Sequence, residues 1–556
     1  MDLLSDNLIK THHPNLGNTR AELNLTEKIV QFGTGMLLRA LPDYLIHQAN
    51  RKGLYNGSIV AIKSTSPDTH LFRQQDCLYT VIEKGPNTPK NAHSSNGKTV
   101  VTALSRVLAA ETEWEDVLAC ARNPEITIVI SNTTEAGLTY LPEKILNRVP
   151  DSFPGKLTAY LFERFLAIPS RASGTASRAS ATGASRTSAT GALGTSMAYG
   201  MVILPTELVV NNGQILRDFV LRHAEENGLP EDFSHWIKTQ NYFCNTLVDR
   251  IVPGRCEEGN VVFHSGLFES LRDPLFEDLG DSTELENGHR GSRNGNFAYR
   301  DDLHTAAEPY LLWAIEGNSE VRDRLKFVQA DERIIVTDNI EPYRERKLRI
   351  LNGSNTHVAG IGFLAGCSTT FDTMEDSLVA RYTEDLILKE IVPTIQDLVP
   401  DATTFAHETM DRFRNPEIRY PLLQIALQYS SKMNSRNAET FFRYYQKDGA
   451  IPTLNALGLA AYFVFNTPAG SSDGKFYGEH NGTRYTYRDD HASFVGTELY
   501  TCCTAADFTR AVTNILKNKA IFTKDLTEIP GLTAYVVEKI LDIRQHGMRM
   551  VLEKML

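Results

Sequence analysis

An apolar run at residues 29–32 (IVQF) leads straight into Gly33-Thr34-Gly35 and then into Met36-Leu37-Leu38-Arg39-Ala40, which has the spacing of a helix start. A strand that empties into a glycine turn and a helix restricts the chain to folds that begin with a βα unit. Glycines at 33 and 35 let the backbone turn tightly and approach a pyrophosphate, toward which the helix start points its N–H groups. Leu38 stands where a third glycine would complete G-x-G-x-x-G. The motif by itself therefore describes an ordinary strand-to-helix turn equally well. Phe32, Gly33, Gly35, Leu37 and Leu38 are the candidate cofactor contacts of this segment.

Further strand-like runs follow at 58–62, 126–131 (ITIVIS), 200–204 (GMVIL) and 333–337 (RIIVT), with helical segments between them. Strands alternating with helices predict an α/β, largely parallel, doubly wound sheet of Rossmann type. From about residue 341 the pattern changes to long helical periodicities, as at 377–391, 421–433 and 454–465. With 556 residues the chain is too long for one core. The expected division is an N-terminal dinucleotide-binding domain over 1–336 and a mostly α-helical substrate and catalytic domain over 337–556, with a ligand cleft between them. Residues 170–195 are almost entirely Ser, Ala, Gly, Thr and Arg and hold a tandem repeat, ASRASATG then ASRTSATG. Such a tract buries too little apolar surface to offset its ordering entropy and reads as a surface insertion. A second polar stretch at about 281–296 reads as a loop insertion.

A net charge of −11 disfavours nucleic acid or an anionic membrane as partner. The seven cysteines are scattered without a C-x-x-C pair, which suits a reducing compartment and supplies no metal site. No basic leader or apolar stretch of about 20 residues is present, so the expected location is cytoplasmic.

Where an NAD-type fold usually ends its second strand on a carboxylate for the ribose, this chain has Lys63, which could instead neutralise the extra phosphate of NADP. The third strand runs into Ser131-Asn132-Thr133-Thr134-Glu135-Ala136-Gly137, and Asn132, Thr133 and Glu135 are candidate contacts to nicotinamide and ribose, or parts of a capped turn. The reaction chemistry concentrates in residues 346–357 (RKLRILNGSNTH). On an α-helix Asn352 and Asn355 lie about 140° and 80° round from Lys347, and His357 points elsewhere. A lysine beside other cations (Arg346, Arg349), or partly desolvated, has its pKa lowered toward the range of a general base. Asn352 can donate to a developing alkoxide.

Together these segments resemble the polyol-specific long-chain dehydrogenase family, which includes the uronate reductases. The matching stretches are QFGTGMLLRA at 31–40, QDCLYT at 75–80, SNTTEAG at 131–137, KLTAYLFERF at 156–165 and FCNTLVDRIV at 243–252. DNIEPYRERKLRILN at 338–352, RFRNP at 412–416 and IPGLTAYVVEKILDIRQHGM at 529–548 complete the set in family order. The resemblance implies a nicotinamide cofactor (NAD, with NADP possible), no catalytic metal, and Lys347 as acid/base with Asn352 beside it. It implies substrate binding by Lys432, which follows the R-F-x-N-P motif, and by Asp249 of V-D-R-I. The implied partner is a small sugar acid and the implied reaction is reduction of a keto-uronate, tagaturonate to altronate. Fructuronate, a ketose such as fructose, or a non-catalytic nucleotide- or sugar-binding role are the alternatives. The family carries His eight residues after the lysine, where this chain has Asn355. Asparagine can hydrogen-bond a hydroxyl or carbonyl but carries neither proton nor charge.

Overall fold

Residues 29–32, 59–62 and 128–131 are apolar at successive positions, so as extended chain they present buried side chains to both sides and require cover on both faces. The structure, a computed structural model, describes residues 2–12, 25–64, 66–85, 97–133, 137–167, 200–253, 261–263, 297–472 and 474–556. Both expected insertions, 170–195 and about 281–296, lie outside the described residues. The chain divides into two compact units, Met1–Ile340 and Glu341–Leu556. Residues 337–340 stay with the first unit, where the Gly317 N–H bonds the Thr337 carbonyl.

In the first unit six strands, β1 (Thr26–Phe32), β2 (Gly57–Lys63), β3 (Leu104–Ala109), β4 (Ile128–Ser131), β5 (Val202–Pro205) and β6 (Tyr242–Phe243), form one sheet in the order β3-β2-β1-β4-β5-β6. All five pairings are parallel. This is the doubly wound order, with a crevice expected at the carboxyl ends of β1 and β4, where the winding reverses. One face packs Ile29, Ile59, Ile128 and Leu204 against Leu45 and Ala49 of helix Pro42–Arg51. The other packs Val30, Phe32, Val60 and Ile203 against helices Trp114–Arg122, Phe153–Ala167 and Asn212–Glu226. Strand β3 is hard to read from sequence because it is an edge strand whose Ser105 and Arg106 face outward to Glu27. The run at 333–337 was expected beside the others. It belongs instead to a separate three-stranded sheet, with Ile334–Thr337 parallel to Leu312–Glu316 and Thr246–Asp249 antiparallel to it.

The second unit is helical apart from a small antiparallel sheet of Gly470–Ser472, Lys475–His480 and Thr483–Thr486. Among the described residues, no helix in either unit is long and apolar enough to cross a membrane. The stretch 421–433 is not one helix but two short ones, Leu422–Ile425 and Tyr429–Lys432, parted by Gln428 at φ 53°. That left-handed conformation is held from outside the helix. The Gln428 side chain exchanges two bonds with Asp490, of 3.0 and 3.1 Å, and its N–H bonds the Arg488 carbonyl.

A buried carboxyl lies among the residues around the glycine turn. Asp43 is fully buried and accepts from the Tyr79 hydroxyl at 2.8 Å. Burial pushes its pKa up to about 7, against the smaller opposing effects of Tyr79, the Arg39 charge and Gln31. The folded protein thus keeps a proton that the unfolded chain releases near pH 4, so stability falls as pH rises from about 4 to about 7 and levels off above that. The slope from this one group approaches about 1.4 kcal/mol per pH unit. Asp43→Asn mimics the protonated form and is expected to remove that slope and to raise Tm at pH 8, measured by thermal unfolding across pH 4.5–8.5. A variant whose Tm follows the wild-type pH dependence would refute the assignment.

Candidate active site

In the first unit the carboxyl ends of β1 and β4 lie side by side, with Phe32 paired to Ser131. Gly33 and Asn132 therefore leave the sheet together, and a Cβ on Gly33 would sit 2.9 Å from the Asn132 carbonyl and 2.8 Å from Leu38 Cδ1. Gly33 has φ 121°, a backbone conformation that a side chain rarely tolerates. Its absent side chain lets the two loops touch. Leu38, in the place of a third glycine, is fully buried and fills the space beneath the turn. Gly35 differs in both respects: its φ is −66° and nothing lies within 4 Å of its Cβ position. The backbone there faces open space, which is the clearance a pyrophosphate needs, so the residues present fit a dinucleotide. The helix it starts, Met36–Ala40, has only five residues, so local N–H groups matter more than any macrodipole.

Four of the expected contacts, Phe32, Asn132, Thr133 and Lys63, have other partners. The Phe32 ring is buried against Phe153 and Tyr160, with centroids at 5.2 and 6.2 Å, and offers a ligand only its backbone. The Asn132 amide donates to the Thr206 carbonyl and hydroxyl at 3.1 and 3.0 Å. Thr133 gives both its N–H and its hydroxyl to Glu207, at 2.9 and 3.1 Å, and the Ser131 hydroxyl bonds the same carboxylate at 3.1 Å. Glu207 is buried and its pKa is raised by that burial, with these hydrogen bonds opposing. The carboxylate that orders the β4 loop was missed in the sequence. Its signal is an acid placed directly after a buried strand, in LPTE. Leu37 is half-buried beside the turn, and Glu135 lies outside the described residues. Lys63 ends β2 and its ammonium donates to the Asp68 carbonyl at 2.5 Å.

Asp249 ends strand Thr246–Asp249 and is buried. Its neighbour Arg250 is a structural tie. Its guanidinium bonds the carbonyls of Glu308 and Ala40 and the carboxylate of Glu83, and lies 4.9 Å from the centroid of the Tyr44 ring.

In the second unit the expected helix at 346–357 is present, but Arg346–Gly353 is π-helical and only from Ser354 does it become α. In a turn closed by i→i+5 hydrogen bonds, the residue five on takes the place one turn along that residue four on has in an α-helix. Asn352 is five residues after Lys347 and so becomes its neighbour, rather than lying about 140° away as α-geometry gives. Lys347 is buried, with 8% of its surface exposed. The expected cationic surroundings of Lys347 are corrected. Arg346 pairs with Asp401 and lies between the rings of Tyr343 and Phe405. Arg349 pairs with Glu345 at 3.2 Å. Each flanking cation thus has its own carboxylate, so neither acts on Lys347 as an unopposed charge.

Asn355 is half-buried, and its Oδ1 is buried without a hydrogen-bond partner among the described residues. His357 is turned into the core, as its position in the helix suggested. It bonds Asn455 Oδ1 at 3.1 Å, and burial lowers its pKa to about 4. Lys432 is half-buried at the end of Tyr429–Lys432 and donates to the Ile425 carbonyl at 2.8 Å. Arg414, an alternative cation for a carboxylate, sits on the surface bonded to Glu384 at 2.5 Å and Asp411 at 3.4 Å. Among the described residues no group of His, Cys, Asp and Glu could hold a metal ion.

Comparison with known proteins accords with this arrangement. A family model described as the mannitol dehydrogenase Rossmann domain matches residues 27–328, and one described as the mannitol dehydrogenase C-terminal domain matches residues 339–544. The altronate oxidoreductase of Yersinia pestis is 32% identical over 528 residues, covering 94% of this chain and 95% of its own. That of Halalkalibacterium halodurans is 34% identical over 470 residues, 84% of this chain and 80% of its own, and that of Bacillus subtilis 30% over 530 residues, 95% of each. Among solved structures, Pseudomonas fluorescens mannitol 2-dehydrogenase in ternary complex with NAD and D-mannitol superposes with a TM-score of 0.68 at 22% identity, covering 100% of this chain and 99% of that one. A substrate-free D-sorbitol dehydrogenase gives 0.65 at 19%, covering 95% and 96%. These two share the fold.

The two glycines are expected to separate in a thermal unfolding experiment. Gly33→Ala strains the backbone and meets the Asn132 carbonyl, so its Tm should fall clearly. Gly35→Ala meets nothing and should leave Tm unchanged or slightly raised. Equal losses in both variants would contradict the geometry of the turn.

Proposed function

Because the chain belongs to the mannitol dehydrogenase family and is an oxidoreductase of that family, we propose that it reduces a keto-uronate, tagaturonate to altronate, with reduced NAD as cofactor. The observation that carries this reading is the identity of about 30% to altronate oxidoreductases over nearly the whole chain, and the π-helical period over Arg346–Gly353, which brings residues five apart such as Lys347 and Asn352 toward one face, supports it. The nicotinamide supplies the hydride that the keto carbon takes up. Gly33 and Gly35 hold the dinucleotide backbone, and Asn132 and Thr133 order the loop beside it. Lys347 gives a proton to the oxygen that becomes the new hydroxyl. Asn352 donates a hydrogen bond to that oxygen while its negative charge grows. In altronate oxidation the same lysine, neutral, takes the proton back.

A uronate carboxylate requires a cation, and Lys432 supplies it, since Arg414 is committed to two surface carboxylates. Asp249 contributes a buried acceptor for substrate hydroxyls. Asn355 offers an amide oxygen, without a hydrogen-bond partner among the described residues, to another hydroxyl, at a place where the family's histidine could carry charge. The choice of NAD is supported by the fold shared with a mannitol 2-dehydrogenase solved in complex with NAD, and Lys63 keeps NADP as the alternative.

The reading is tested by following loss of reduced-cofactor absorbance with tagaturonate, fructuronate and fructose, each with NADH and NADPH. Tagaturonate with NADH is expected to be the best pair. Lys347→Ala should lower kcat by about 10²-fold or more without changing NADH affinity. Gly35→Val should fold normally and weaken NADH at least about tenfold by filling the open space above the turn. No turnover with any of the three ketoses, or full activity in Lys347→Ala, would sink the proposal.

A further inference from the structure

The second unit contains a second π-helical segment, Met433–Ala438, directly after Lys432, and it packs on the first. A helical turn closed at five residues rather than four is uncommon, and hydrogen bonds from outside the helix help to select it. Side chains add bonds to carbonyls of the first segment, among them that of Ile350, which also accepts the Ser354 N–H. Ser354 Oγ donates to the Ile350 carbonyl at 2.5 Å, Thr356 Oγ1 to that of Asn352 at 2.7 Å, and Asn437 Nδ2 to that of Gly353 at 2.9 Å. The last donor comes from the second π-segment. In return Arg349, on the first segment, donates through Nη1 to the carbonyls of Ser435 and Arg436 at 2.9 and 2.8 Å. Arg436 Nη1 adds a bond to Thr356 Oγ1 at 3.2 Å.

Each widened turn is thus bonded through its carbonyls by a side chain of the other. Gly353 allows the approach: a Cβ there would lie 3.3 Å from Asn437 Nδ2 and 3.4 Å from the Arg436 carbonyl. Arg349 is itself fixed. It is buried, and its remaining nitrogens hold Glu345, which Arg443 also bonds at 2.6 Å. Those two cations hold the Glu345 carboxyl below its usual range in spite of its burial.

We propose that Arg349 and Asn437 are positioning residues that lock the two π-turns against each other, and that this lock keeps Asn352 beside Lys347 and fixes both relative to Lys432. Neither residue touches substrate. Without the lock the first segment relaxes toward an α-helix, in which Asn352 swings about 140° away from Lys347. The inference rests on the assignment of Lys347 and Asn352 to the reaction, but the lock has a readout of its own.

The experiment uses the full-length chain with Asn437→Ala and, separately, Arg349→Met. Amide hydrogen exchange is measured by peptide, and ketose reduction and NADH binding are measured alongside. The lock predicts a reciprocal pattern: Asn437→Ala speeds exchange at 346–356, and Arg349→Met speeds it at 433–438. With the ketose, kcat should fall about tenfold or more and its pH profile should shift, while the NADH dissociation constant stays at the wild-type value. Arg349→Met leaves a buried carboxylate with one cation fewer and can fail to fold, in which case Asn437→Ala, which removes only an amide, decides the matter. Unchanged exchange at 346–356 in Asn437→Ala overturns the lock. Faster exchange there with wild-type kcat and pH profile overturns the positioning role. A wild-type protein inactive on every ketose defeats the proposed function instead, and the exchange pattern still decides whether the lock exists.

Discussion

Side chains that reach backbone groups fix the local path of the chain where β4 ends in the first unit and where the helix of Lys347 widens in the second. Where β4 ends, Glu207 takes up the Thr133 N–H and Thr206 bonds the Ser131 carbonyl at 2.7 Å. Where the helix of Lys347 widens, hydroxyls, an amide and a guanidinium serve the carbonyls between residues 350 and 353 and at 435 and 436. In both places the side chains that carry out this bonding also fix the position of the chemistry-bearing residues next to them.

Charge is handled in the same way. The two arginines that flank Lys347 in sequence are each matched: buried Arg349 with Glu345, and half-buried Arg346 with Asp401 and two aromatic rings. Arg250 is matched with Glu83 and two carbonyls. Breaking such a buried pair costs far more than the pair itself contributes, so these residues act as constraints on geometry more than as sources of net stability. Asp43 is the contrasting case, a buried carboxyl whose burial outweighs the opposing Arg39 charge and Tyr79 hydrogen bond and dominates its titration.

The local pattern of residues was sufficient for the strand, glycine turn and helix at 29–40, for the buried strands at β2, β4 and β5, and for the helical second half. In each of these the side chains needed for burial are neighbours in sequence. The continuous stretch 346–357 was also sufficient to single out Lys347, Asn352 and Asn355 as candidates, whereas Lys432 came only from the family resemblance, through its place after the R-F-x-N-P motif. Strand β3 was not legible, since an edge strand exposes the polar residues that conceal it. The break at Gln428 was not legible either, because the partners that hold it, Arg488 and Asp490, lie about sixty residues away.

Tertiary structure alone decided the angular relation of Asn352 to Lys347. A stretch of twelve residues with ordinary helical composition carries no local mark that its turn closes at five residues rather than four. What selects the wider turn is Asn437 and the carbonyls that receive Arg349, and these are supplied by a segment more than eighty residues further along. The chain's own order therefore determines which residues are available for catalysis, and packing between distant segments determines which of them face one another, because hydrogen bonds that set a helical period can come from outside the helix.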